Sequence, residues 1–172
     1  MTERRSTVEP LTFGSVACCH PSFSEAVGVE ALYAGKRLEY LPVERVGEST
    51  DTPFLKPEAM AYYWPKILEA MLLKPTSPSS IEMIQLIFSR WKDEERLTEK
   101  FWEMHRLTPH LSTEDIWTTQ DVLMEISPHL PPMDEGRNPL FAPSEIVRGA
   151  LRWIDKKWPQ TQGITHEEKV GL

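Results

Sequence analysis

Residues 54–73 read FLKPEAMAYYWPKILEAMLL, an apolar run with helical spacing and a proline in its middle. Met60, Trp64, Ile67 and Met71, with Leu68 and Leu72 beside them, recur at the three- and four-residue intervals of one helix face. Pro65 has no amide hydrogen to give the preceding turn and crowds it. The spacing therefore predicts one helix from Pro57, a good first-turn residue, to about Leu73, kinked at Pro65. A helix this apolar needs a core around it, which commits the chain to packed helices.

The punctuation on either side supports that class. Pro21, near His20 and Ser22, opens a helix whose apolar face is Phe23, Val27 and Ala31 or Leu32, stopped by Gly35. Arg37 to Val46, with Leu38, Tyr40 and Val43, is the one stretch with strand character, and Pro42 demotes it to an edge strand or extended loop. Residues 47–53 form a polar connection, and Lys74-Pro-Thr-Ser-Pro-Ser-Ser80 ends the long helix. Ser79-Ser-Ile-Glu82 spells a capping box for a helix burying Met83, Ile84, Ile87, Phe88 and Trp91.

A break near Asp93 starts a helix with Leu97, Phe101 and Met104 inward, and Thr108-Pro109 closes it. Ser112-Thr-Glu-Asp115 opens the next, with Ile116, Thr119, Leu123 and Ile126 on one side. Prolines 128, 131, 132 and 139 make an irregular connection before Pro143 begins a last helix burying Ile146, Val147, Ala150, Leu151 and Ile154. The expected fold is mostly α, an irregular antiparallel bundle of about six helices with at most one short strand. Residues 1–20 read as a polar arm, 21–158 as a single helical domain and 159–172 as a loose tail. At 172 residues such a domain buries roughly two-thirds of its unfolded surface.

Several function classes drop out. The two cysteines, Cys18 and Cys19, are adjacent, so no disulfide framework is expected. No signal peptide opens the chain and no run approaches the roughly 20 apolar residues of a membrane span, so cytoplasmic residence is expected. Cys18-Cys19-His20 lacks the second ligand pair of a zinc site. There is no Gly-rich phosphate loop, nucleophile elbow or dinucleotide fingerprint, and no cofactor or metal is expected. His105, His110 and His129 sit near loops, where they form a hydrolase-like site only if the loops share one end of the bundle.

Charge is the more informative signal. Of a net −7, the window from Lys92 to Glu125 holds −5, nine acids against four bases. Such a field disfavours nucleic acid, whose recognition rests on clustered Lys and Arg, and suits a basic protein. Trp102 and Trp117 fall beside the inward stripes rather than on them. Tyr62, Tyr63 and Trp64 are consecutive and point three ways round a helix, so at least one is expected near the surface.

The segment Phe54-Leu-Lys-Pro-Glu-Ala-Met-Ala-Tyr-Tyr-Trp-Pro-Lys-Ile-Leu resembles a small bacterial family of unknown function. Its members read roughly Phe-Leu, two residues, Glu-Ala, an aromatic pair, then Leu-Pro and an apolar run. The resemblance covers about 20 of 172 residues and departs at Trp64, where the family has a small aliphatic residue. It implies bacterial or phage origin and a kinked helix, and assigns no catalytic residue.

The expectation that follows is a non-enzymatic bacterial binding protein, like an immunity protein or inhibitor, that masks a basic partner. Asp93, Glu94, Glu95, Glu99, Glu114 and Asp115 would steer the encounter, with Trp102 and Trp117 as anchors. The competing classes are a hydrolase built on the histidines and an adaptor subunit of a larger assembly.

Overall fold

The computed structural model describes residues 17, 23–91, 107–131 and 142–159. These form six α-helices: α1 (Ser24–Tyr33), α2 (Val43–Glu48), α3 (Pro57–Leu73), α4 (Pro78–Met83), α5 (Thr113–Ile126) and α6 (Pro143–Lys157). A π turn, Ile84–Phe88, and a last turn, Ser89–Trp91, extend α4. No strand occurs among the described residues; one isolated antiparallel bridge joins Ala17 to Leu55. The fold is an irregular helical bundle around one hydrophobic cluster.

Helix α3 is the centre of that cluster, and its bounds match the sequence pattern. It is continuous across Pro65, and Tyr62, Tyr63 and Trp64 are all buried. The expectation that one of these rings would face solvent is corrected. A helix apolar over most of its circumference needs neighbours over most of it, and α2, α5 and two 3₁₀ turns pack against this one, leaving one face with Glu58, Lys66 and Glu69 toward solvent. The polar tips are satisfied inside. Tyr63 Oη lies 2.6 and 2.8 Å from the carbonyls of Tyr33 and Lys36 and shares its one hydrogen between them, closing the end of α1. Of its large apolar side chains only the last, Leu72 and Leu73, emerge.

The inward face of α1 also differs from the expected one. Ala26, Val29, Leu32 and Tyr33 are buried, whereas Phe23 and Val27 are 56% and 62% exposed. Both sets of positions are apolar, so periodicity does not choose between them. Tertiary polar contacts do: Tyr33 Oη bonds Thr52 Oγ1 at 2.7 Å, and the Asp51 carboxylate lies against Gly28.

The single strand is likewise corrected. Leu38–Tyr40 is a 3₁₀ turn and Pro42 is the N-cap of α2, with Val46 N–H donating to its carbonyl at 3.2 Å. Leu38, Leu41 and Val46 are buried and Tyr40 points out, a spacing that fits turns rather than alternation. The connection expected over 47–53 is partly core, since Gly47 and Glu48 belong to α2 and Gly47, Thr52 and Pro53 are buried.

Ser77, not Ser79, caps α4. Its hydroxyl accepts from Ser80 N–H at 3.2 Å, and Pro78 takes the first helical position, where no N–H is required. Ser79 Oγ instead donates to the carbonyl of Ser49 at 2.7 Å, fastening α4 to the end of α2. Met83, Ile84, Ile87, Phe88 and Trp91 are inward as expected.

Helix α5 starts where expected, at Ser112, and the capping box expected at Ser79 is found here instead. Asp115 N–H donates to Ser112 Oγ at 3.1 Å, and Ser112 N–H returns to Asp115 Oδ2 at 2.9 Å. Ile116, Thr119, Leu123 and Ile126 are buried, as are Ile146, Val147, Ala150 and Ile154 of α6. Gln120 Nε2 donates to Asp155 Oδ1, joining the middle of α5 to the end of α6, and the turn that follows α5, Ser127–His129, also touches α6, as it does when the two helices run antiparallel and would not if α5 ran on past the end of α6.

Candidate interaction surface on the fifth helix

Of the residues expected to meet a partner, Asp93, Glu94, Glu95, Glu99 and Trp102 lie outside the described residues, as do Cys18, Cys19, His20 and His105. Glu114, Asp115 and Trp117 lie on α5. Glu114 is exposed and Trp117 is 39% exposed. Asp115 is only 7% exposed, with its carboxylate turned onto the first turn of its own helix.

The outer face of α5 is wider than these residues. Taking 3.6 residues per turn, Glu114, Trp117, Asp121, Met124 and Glu125 share its outer face, and all five are exposed. Met124 is 51% exposed. There is no Lys or Arg anywhere on α5. Glu114 sits in the first turn, where the helix dipole favours an acid, but Glu125 is in the last turn, where it does not. Met124 follows the buried Val122 and Leu123, and only the phase of the helix turns it outward; Asp121 and Glu125 belong to the acidic window from Lys92 to Glu125.

The outer face of the adjoining α6 has the opposite sign. Arg148, Arg152 and Lys156 recur every four residues and are exposed. Arg148 pairs with Glu145 of its own helix at 2.7 Å. Among the described residues Glu114, Asp121, Glu125, Arg152 and Lys156 are in no ion pair. At the end of α6 the Lys157 ammonium stands 5.1 and 5.2 Å from the ring centres of Trp153 and Trp158. That arrangement gives a cation–π contact with each indole.

Of the histidines that would carry a hydrolytic site, the two described, His110 and His129, do not meet. His110 precedes α5 and His129 follows it, so about 21 Å of helix separates them. His110 Nε2 lies 3.9 Å from Glu58 Oε1, both partly exposed. No group of three or more His, Cys, Asp or Glu among the described residues is placed to hold a metal ion, and no described helix is long and apolar enough to cross a membrane.

A second acidic feature lies between α1 and α4. Burial, and then the charge of Glu25, raises the Asp51 carboxyl above its ordinary value; burial, and then Asp51, does the same to Glu82. Comparison with known proteins gives no match to a family model, a curated protein or a solved structure.

Proposed function

We propose that the chain is a non-enzymatic bacterial binding protein of the immunity-protein or inhibitor kind, cytoplasmic, that masks a basic protein partner through the outer face of α5. The observation that carries this is a helix with three exposed acids, no base, and an exposed indole and thioether set among them. Large apolar side chains supply contact energy, and the surrounding charge sets encounter rate and choice of partner. Two further observations support it. Glu125 is held against the helix dipole, a local cost that a partner's cation would offset. His110 and His129 stand at opposite ends of α5, which weakens the hydrolase alternative.

The test is capture of partners from host lysate on the intact chain, identification by mass spectrometry, and kinetics of the purified pair. Glu114→Gln/Asp121→Asn/Glu125→Gln leaves the Asp115 cap in place. It is expected to slow association by about tenfold or more at low salt and to flatten its salt dependence. An unchanged association rate and salt slope would sink the proposal.

A further inference from the structure

We infer that the basic surface fitting the outer face of α5 is α6 of a second copy of this chain, so that the molecule pairs through a two-fold interface along its α5–α6 seam. This assignment rests on the reading of α5 as a binding face and adds the identity of an occupant.

The two helices lie side by side, antiparallel, with Gln120 bonded to Asp155 between them. Counting about 100° per residue from 3.6 residues per turn, Trp117 and Met124 lie on the side of α5 nearest that bond, and Asp121, Glu114 and Glu125 lie farther out. On α6, Asp155 faces the bond, Arg148 lies nearly in line with it, and Arg152 and Lys156 lie outward. The exposed surface is therefore an apolar ridge beside the seam, with an acidic bank on one side and a basic bank on the other.

Two symmetry choices bring this face against itself. An axis across the helices sets acid on acid. An axis along the seam sets α5 of each copy over α6 of the other, acid on base twice, with the helices antiparallel. In such an isologous contact, residue i meets residue j and residue j meets residue i. Rotation about that axis leaves heights along the seam unchanged, so the Gln120–Asp155 bond fixes the register between copies.

At about 1.5 Å rise per residue, Asp121 then stands level with the gap between Arg152 and Lys156, about 3 Å along the axis from each. Glu125 falls in the same way between Arg148 and Arg152, and Trp117 comes level with Trp158. Asp121 and Glu125 thus each meet a pair of bases, although the two stripes come from different helices; Asp121, Glu125, Arg152 and Lys156 are in no ion pair within their own copy, and Arg148 is already paired with Glu145. Apolar side chains sit nearest the axis and charges at the rim, the usual arrangement of a protein interface.

The experiment uses the full chain and two charge-reversed variants, Asp121→Lys/Glu125→Lys and Arg152→Glu/Lys156→Glu. All four positions are exposed and the new residues are good helix formers, so circular dichroism should match the wild type. Sedimentation across a concentration series should show a monomer–dimer equilibrium for the wild type. Each variant alone sets like charge on like at both halves of the contact and should lose about a hundredfold or more in self-association. Mixed in equal amounts, the variants restore opposite charges at both halves, and native mass spectrometry should find the heterodimer as the dominant dimer.

A wild type that stays monomeric overturns the assignment, as does a reversed variant that still dimerises or a mixture that forms no heterodimer. The basic-partner reading of α5 survives those outcomes. It falls only with the association experiment above.

Discussion

The indole N–H of Trp64 donates to Thr119 Oγ1 at 2.8 Å, and that hydroxyl donates in turn to the carbonyl of Asp115 at 2.6 Å. Both side chains are fully buried, so one hydroxyl ties α3 to α5 where no water replaces it. Thr119→Val keeps the shape and leaves the indole N–H without an acceptor. The expected cost is about 1–3 kcal/mol in chemical denaturation. Thr118→Val removes a hydroxyl that bonds Glu114 O on the exposed side, and should stay within about 0.5 kcal/mol.

Trp64 and Trp91 allow that bond to be weighed against packing. Both are buried, with ring centres 6.3 Å apart, but the Trp91 Nε1–H has no hydrogen-bond partner. Trp64→Phe and Trp91→Phe remove similar volumes from one aromatic cluster, so their cavity costs largely cancel. Trp64→Phe should be the more destabilising by about 1 kcal/mol, read as a difference in denaturation midpoint at constant slope. Equal losses would mean that the Trp64–Thr119 bond adds nothing beyond packing.

Gly28 is in the middle of α1, where alanine ordinarily stabilises a helix by up to about 1 kcal/mol. Here a Cβ would stand 1.8 Å from Asp51 Oδ2 and 2.8 Å from its Cγ, so the short side chain must move. Gly28→Ala alone is expected to cost about 1–3 kcal/mol. In an Asp51→Ala background the obstruction is gone and the same change should stabilise. A sign reversal between backgrounds in a double-mutant cycle is the expected result, and additive effects would contradict it.

The carboxylates of Asp51 and Glu82 also set a pH dependence. Both are raised, first by burial and then by a neighbouring acid, Glu25 for Asp51 and Asp51 for Glu82. A raised carboxyl binds its proton more tightly in the folded chain. Its contribution is complete below the unfolded value, near about pH 4, and is lost as pH rises through the folded value. Asp51→Asn should therefore raise the melting temperature at pH 7 and change it little in acid. At the alkaline end Tyr63, pushed up to about 12 mainly by burial, adds stability that is present below its unfolded value and lost as pH rises through the folded one.

The sequence made the helical elements legible wherever local chemistry was decisive. Pro57 and Leu73 bound α3 because proline and the apolar period agree, and Ser112 with Asp115 forms a capping box that any surrounding fold would accept. It was less legible where two local solutions were equally good. Phe23 with Val27 and Ala26 with Val29 are rival faces of one helix, decided by the distant Thr52 and Asp51. Ser77 and Ser79 are rival caps, decided by the carbonyl of Ser49 across the bundle. The charge window pointed to α5, but α6 entered only when the fold set Arg152 and Lys156 beside it.

Glu125 separates what the monomer needs from what an interface needs. It is exposed in the last turn of α5, where the dipole's negative end disfavours an acid and no base offsets it. If only the monomer's stability mattered, a lysine would serve better there. Glu125→Lys should therefore stabilise the isolated chain, by about 0.3–1 kcal/mol at low salt and less as salt is added. The same substitution should weaken association with a basic surface, whether a foreign partner or α6 of a second copy. Opposite signs in thermal unfolding at low concentration and in binding would identify Glu125 as an interface residue. Loss of stability, or association left unchanged, would remove it from that role.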